Sequence, residues 1–338
     1  RSLVGSEMCI RDRVLPIEEE YTKALSLSRL AYDLENIISP MLAGLLLTVM
    51  SYHNLFLGTV VGFIGSALFV VSAKLPNAKM PEFIGVYNRI KQGAKIYFRT
   101  PRLKALLALN LAIASASAVV IVNTVVLVQT TFGLTEKATT WAFGLFGLGS
   151  MLAAFALPKI LDKLNDRAVM LSGTVVLVVG LLSGYFISTY AWLLALWFIL
   201  GIGYSVSQTP TGRLIRKSAS SENRAALFAA QFAFSHACWL ITYPLVGWLS
   251  TNFGTLITFV PMAFIALVSM VVAFVTWPRK DDLILEHTHP DLPQDHEHLL
   301  QHNHKGKHEH EFMIDRYHQH WPKSVSYTHL RAHETPEH

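Results

Sequence analysis

Leu103-Lys-Ala-Leu-Leu-Ala-Leu-Asn-Leu-Ala-Ile-Ala-Ser-Ala-Ser-Ala-Val-Val-Ile-Val-Asn-Thr-Val-Val-Leu-Val-Gln129 decides the fold. The run holds one charged side chain, Lys104 at its start, and neither proline nor glycine. A hydrocarbon core about 30 Å thick takes roughly 20 helical residues to cross, so this run is long enough. Inside lipid each backbone amide must be satisfied within its own segment, which selects helix over open strand. Working outward, the same test predicts spans at residues 24–50, 55–72, 103–129, 138–160, 168–187, 191–211, 225–249 and 256–277. The fold class expected is all-α: a polytopic membrane bundle of about eight transmembrane helices.

Composition agrees. Of 338 residues, 52% are hydrophobic and 15% charged, and the mean hydropathy is +0.38. That is too apolar for an ordinary soluble domain, so the lipid bilayer is the first expected partner. The cations fall on alternate connections. Lys74, Lys79, Arg89, Lys91, Lys95, Arg99, Arg102 and Lys104 lie around the link between spans two and three, and Lys163 and Arg167 between four and five. Arg213, Arg216, Lys217 and Arg224 lie between six and seven, with Arg279 and Lys280 after the last. The intervening connections carry only Glu136 and Lys137. The positive-inside bias makes the crowded loops and both ends of the chain cytoplasmic, in what is expected to be a bacterial inner membrane. Topology therefore accounts for the net charge of +5 without a nucleic-acid partner.

The two ends read differently from the rest. Residues 1–13 and 324–338 resemble translated sequencing-adapter sequence and are set aside from the fold. No disulfide is expected, since Cys238 lies within a span and Cys9 in the leading segment. Glu20-Tyr-Thr-Lys-Ala-Leu25 before a span with Pro40 is similar to Glu222-Asn-Arg-Ala-Ala-Leu227 before a span with Pro244, as in an internally repeated transporter.

Three stretches resemble the major facilitator superfamily. Leu157-Pro-Lys-Ile-Leu-Asp-Lys-Leu-Asn-Asp-Arg167 is similar to the short cytoplasmic Asp/Arg loop after the second helix of each half. The basic connection from Lys74 to Lys104, with amphipathic Phe83 to Phe98, resembles the linker between halves. Ser39-Pro-Met-Leu-Ala-Gly44 resembles an exporter motif of the fifth helix, with Ser39 and Ala43 standing where the family has glycine. The resemblance implies that the eight spans are helices 5–12 of a twelve-helix fold. Residues 14–73 would then close the N-terminal bundle, 74–103 form the linker, 104–278 the second bundle and 279–323 a cytoplasmic tail. It also implies a conformational role for Asp162, Asp166 and Arg167. On this expectation four helices precede the chain, and the chain alone does not transport.

An ionisable group at membrane depth costs about 2.5 to 3.5 kcal/mol on insertion scales, so each calls for a partner or a job. In the first span Arg29 and Asp33 are four apart and share a face, which suits a structural ion pair. Glu35 lies roughly 120° from Arg29 around the axis; it is either a cavity-facing, proton-carrying carboxylate or a group reaching solvent at the helix end. The seventh span brings Gln231 and His236, the latter a candidate proton carrier or a neutral histidine bonded within the bundle. The family resemblance implies that Asn110 and Asn123 of its seventh helix and Tyr204 and Gln208 of its tenth line a passage. Such groups also serve as interhelical glue.

Beyond Lys280 the chain turns polar. His287/His289, His296/His298, His302/His304, His308/His310 and His318/His320 form His-x-His pairs among acidic residues. In an extended chain alternate residues point one way, so each pair offers two imidazoles to one ion such as Ni, Co or Zn. The alternative is a solvated tail with no part in transport. The tail resembles His-rich tails of some nickel-resistance permeases of the superfamily. No Gly-rich phosphate loop occurs within residues 14–322, so energy is expected from an ion gradient. No cofactor is required, and no enzyme is expected, because a catalytic metal needs ligands in fixed geometry beside a pocket. The expected function is secondary, proton-coupled efflux of a small molecule. The alternatives are divalent metal efflux or a non-transporting membrane sensor.

Overall fold

The computed structural model describes residues 52–72, 86–220 and 223–279, together with 23, 26, 27, 30, 281, 284–287, 308–314, 318 and 320–322. The helices are α1 Tyr52–Ser72, α2 Val86–Arg99, α3 Pro101–Val125, α4 Glu136–Leu161, α5 Asp166–Gly184, α6 Tyr190–Gln208, α7 Thr211–Arg216, α8 Arg224–Phe253 and α9 Phe259–Thr276. α3 runs on into a wider π turn, Val126–Thr131. Among the described residues six stretches are long and apolar enough to cross a membrane: Pro101–Thr131, Glu136–Leu161, Asp166–Gly184, Tyr190–Arg216, Arg224–Phe253 and Phe259–Thr276. They fall on the last six predicted spans. The predicted span 55–72 is α1, with an apolar run Leu57–Ser72. Most of the first predicted span, including Arg29, Asp33 and Glu35, lies outside the described residues.

Local chemistry explains the helix ends. Only Thr100 separates α2 from α3. Its extended backbone and Pro101 in the first helical turn force the chain to restart there, since proline needs no amide partner at that position. Asn165 caps α5 by accepting from the Ala168 amide at 2.8 Å. α8 stops at Gly254, whose φ of +94° is open mainly to glycine.

α3 is the centre of the bundle. Of its most apolar stretch 72% is buried in the protein, against 33% for α8 and α9, whose outer faces are left to lipid. α3 packs on α8 and α9, α4 on α6, and α5 on α6 and α9. The α4–α6 seam is closed by small residues: a Cβ on Gly149 would collide with the Phe198 carbonyl, and one on Gly201 with the Phe146 carbonyl. In lipid, where apolar burial gives helices little reason to associate, such close backbone approach is the main source of contact energy.

Two features lie outside the spans. The end of α2 docks on α8 and α3, burying Ile96 and Tyr97. In the tail, β1 (Ile284–His287) pairs antiparallel with β2 (His308–Glu311), Ile284 opposite Glu311 and His287 opposite His308. The predicted bundle is thus joined by a short ladder that span counting did not foresee.

Candidate functional site

Apart from Glu136 and Lys137 at the start of α4, the charged side chains of the described bundle gather at one end, and Asp166 is an anionic centre there. It opens α5, where the helix dipole favours a carboxylate, and is buried with 8% exposure. Lys217 Nζ donates to its Oδ2 at 3.0 Å, and Arg213 Nε lies 3.3 Å from its Oδ1. The two cations come from the far end of the next helical hairpin, at α7 and just after it. The carboxylate therefore ties the α4–α5 turn to the end of α6–α7 through a charge-assisted hydrogen bond and an ion pair.

The two other predicted loop residues take different places. Arg167 donates to the carbonyls of Phe274 at 3.0 Å and Trp277 at 3.2 Å, with its guanidinium 4.8 Å from the Phe274 ring centre. It thus caps the C-terminus of α9, where unsatisfied carbonyls favour a cation. Asp162 is exposed at the end of α4.

Arg102 is an enclosed cation that the sequence pattern does not single out. It is 1% exposed. Its Nε donates to Ser218 Oγ at 2.8 Å, one terminal nitrogen to the Lys217 carbonyl at 2.7 Å and the other to Asp281 Oδ1 at 3.3 Å. Asp281 also accepts from Trp277 Nε1 at 3.0 Å. A planar guanidinium with donors fixed in a fork suits such a multi-partner site better than an ammonium would. The only hint in the sequence is that Arg102 follows Pro101 at the very start of a span.

The predicted polar residues within the bundle divide. Gln231 and Asn110 are brought together by Tyr97 of α2. The Tyr97 hydroxyl donates to Gln231 Oε1 at 2.5 Å, and Asn110, 3% exposed, lies beside it. Burial pushes the Tyr97 phenol well above its ordinary range, the Cys238 thiol adds to this, and Asn110 opposes it. Asn123, by contrast, is fully buried and donates to Thr258 Oγ1 at 2.6 Å, which ties α3 to the start of α9. Tyr204 is buried with its ring 5.6 Å from that of Phe146, and Gln208 is half-buried at the end of α6. His236 is exposed on α8, its Nδ1 2.8 Å from the Phe232 carbonyl and its ring stacked on Phe232 at 3.8 Å.

Of the tail histidines, His287, His308 and His310 stand in the ladder. His318 is buried with its ring 4.8 Å from Phe312, and His320 is exposed. His289, His296, His298, His302 and His304 lie outside the described residues. Among the described residues no three metal-ligating side chains gather in one place.

A family model for the Major Facilitator Superfamily matches residues 105–294, more than half of the chain. No curated protein sequence matches. Among solved structures the chain is similar to a bacterial homologue of the iron transporter ferroportin in its outward-facing state, with a TM-score of 0.59 and 15% identity. The match covers 78% of this chain and 65% of that one. At that identity the likeness is one of fold, and the chain spans about two thirds of the other protein's length.

Proposed function

The chain belongs to the major facilitator superfamily, and from that premise we propose that it works in a secondary active transporter exporting a small molecule by alternating access with protons as the coupling ion. It is an integral membrane protein of the transporter class and not an enzyme. Alternating access requires contacts at a bundle end that hold in one state and release in the other. The observation that carries this reading is the Asp166 cluster, a carboxylate shared by Lys217 and Arg213 at the junction of two helical hairpins. Cations with side chains about a fifth exposed can exchange the carboxylate for water when the end opens. A carboxylate sealed deeper would resist release.

In this reading Gln231 and Asn110 line the passage near its charged end, with Tyr204 and Gln208 across it on α6. His236 on α8 is the described candidate for carrying protons, and Glu35 is its counterpart outside the described residues. The charged end faces the cytoplasm of a bacterial inner membrane, a reading that the distribution of cations supports. Domain limits follow the sequence: linker 74–103, bundle 104–278, tail 279–323.

A second reading, export of a divalent metal such as Ni, Co or Zn, is favoured by one observation: the ladder sets His287 opposite His308, so that two histidines share one register position. One experiment separates the readings. Inverted membrane vesicles from cells expressing the gene are energised with an imposed pH gradient and offered fluorescent organic cations or radiolabelled nickel. Accumulation of an organic compound, abolished by a proton uncoupler and reduced by Asp166→Asn, is expected. Accumulation of nickel alone would favour the second reading. Accumulation of neither would leave a membrane sensor and contradict both.

A further inference from the structure

Past β2 the tail does not leave the bundle. Phe312 and Ile314 are 3% and 2% exposed and belong to the same apolar cluster as Leu103, Leu106, Ile215 and Trp277. Trp321 packs against that cluster, with its ring 5.2 Å from Phe312 and 5.4 Å from the Arg102 guanidinium carbon. Trp321, from a polar, charged tail, thus lies over the Arg102 guanidinium, beside Phe312 and Ile314 in the same apolar cluster. A guanidinium over an indole face is attracted by the ring quadrupole, most strongly where water is excluded.

The covered arginine also leads inward. Arg102 donates to the Lys217 carbonyl, and the Lys217 ammonium donates to Asp166. On the other side Arg102 shares Asp281 with Trp277, whose carbonyl accepts from Arg167. Both routes end on the adjacent residues that open α5.

We propose that the Arg102 end of the bundle is a docking surface for the chain's own Phe312, Ile314 and Trp321, which act as a strap holding the Arg102–Lys217–Asp166 contacts closed. Detaching it uncovers Arg102 and loosens the α5 start. This holds whichever substrate the bundle carries, and whether or not the histidines bind metal.

The test uses the full chain in lipid nanodiscs, comparing it with Trp321→Ala and Trp321→Phe. Trp321 sits at the rim, so its truncation leaves the spans intact. Trypsin cleavage after Arg316 and hydrogen exchange of the amides of residues 166–170 and 213–217 are followed by mass spectrometry. Trp321→Ala is expected to speed cleavage after Arg316 about tenfold, the size of one aromatic and one cation–π contact. It should speed exchange at both amide stretches as well, while Trp321→Phe stays close to the unchanged chain. Cleavage after Arg316 that is equally fast in all three proteins would show that Trp321 holds nothing. Faster cleavage with unchanged exchange at residues 166–170 and 213–217 would make the segment mere packing. Either result overturns the proposal.

Discussion

The two ends of the bundle are held by different chemistry. At one end Arg102, Asp166, Arg167, Lys217 and Asp281 form charged contacts between α3, α5, the segment after α7 and the segment after α9. At the other the contacts are neutral: Asn123 to Thr258, Tyr190 hydroxyl to the Ala138 carbonyl at 2.8 Å, Ser250 with Thr255 at 3.1 Å and Trp197 Nε1 to Thr124 Oγ1 at 2.8 Å. Charged contacts respond to salt, protonation and competing ions. Neutral hydrogen bonds buried among apolar side chains do not, and breaking one leaves a polar atom without water. In the proposed transport cycle the contrast suits switching at the charged end and a steadier hinge at the neutral one.

Substitutions sharpen that contrast, and thermal unfolding in detergent or nanodiscs measures them. The largest effect is expected from Arg102→Ala. Removing a cation that is 1% exposed breaks its bonds to Ser218, the Lys217 carbonyl and the partly exposed Asp281 and should cost about 3 kcal/mol. Asp166→Asn should cost about 2 kcal/mol in low salt. Its cationic partners are partly exposed, so the loss should shrink as ionic strength rises past the point where the screening length falls to about 10 Å. Asn123→Ala at the neutral end should cost about 1.5 kcal/mol and show no salt dependence. An equal salt response for Asp166→Asn and Asn123→Ala would erase the distinction between the ends.

The smallest effect concerns the docked linker helix. Tyr97→Phe removes the bond to Gln231 and should cost about 1 kcal/mol at neutral pH. The folded phenol titrates above its unfolded value, so its contribution is complete below the ordinary tyrosine range of about 10. It is lost as pH rises beyond that range, because only the unfolded chain then releases the proton. The stability gap between the unchanged protein and Tyr97→Phe should therefore narrow and reverse in strong alkali. A gap independent of pH would mean that Tyr97 is not sealed against α8.

Span positions were legible because hydropathy and length are properties of a single segment, and the last six predicted spans each fall on a described helix. Asp166 was legible as part of a recurrent loop pattern, though its partners, Lys217 and Arg213, lie some fifty residues on and carry no local signal. Arg102 reads in the sequence as one more cytoplasmic cation. Only the fold shows that it is enclosed. The docked strap was illegible for a similar reason: Phe312, Ile314 and Trp321 are isolated apolar residues without periodicity, and their meaning comes from the surface that they meet. Asn123 illustrates the converse, a residue whose type suits a passage equally well and whose partner, Thr258, shows only in the fold.

The most direct test of the central claim, that the cation-bearing end of a membrane-spanning bundle faces the cytoplasm, is the reach of a membrane-impermeant thiol reagent in intact cells. With Cys9 and Cys238 changed to serine, a cysteine is placed either at Leu164, 53% exposed in the turn before Asp166, or at Leu134, 38% exposed at the neutral end. Leu134→Cys should be labelled from outside, and Leu164→Cys only after the cells are opened. Labelling of Leu164→Cys in intact cells, with Leu134→Cys protected, would contradict the account.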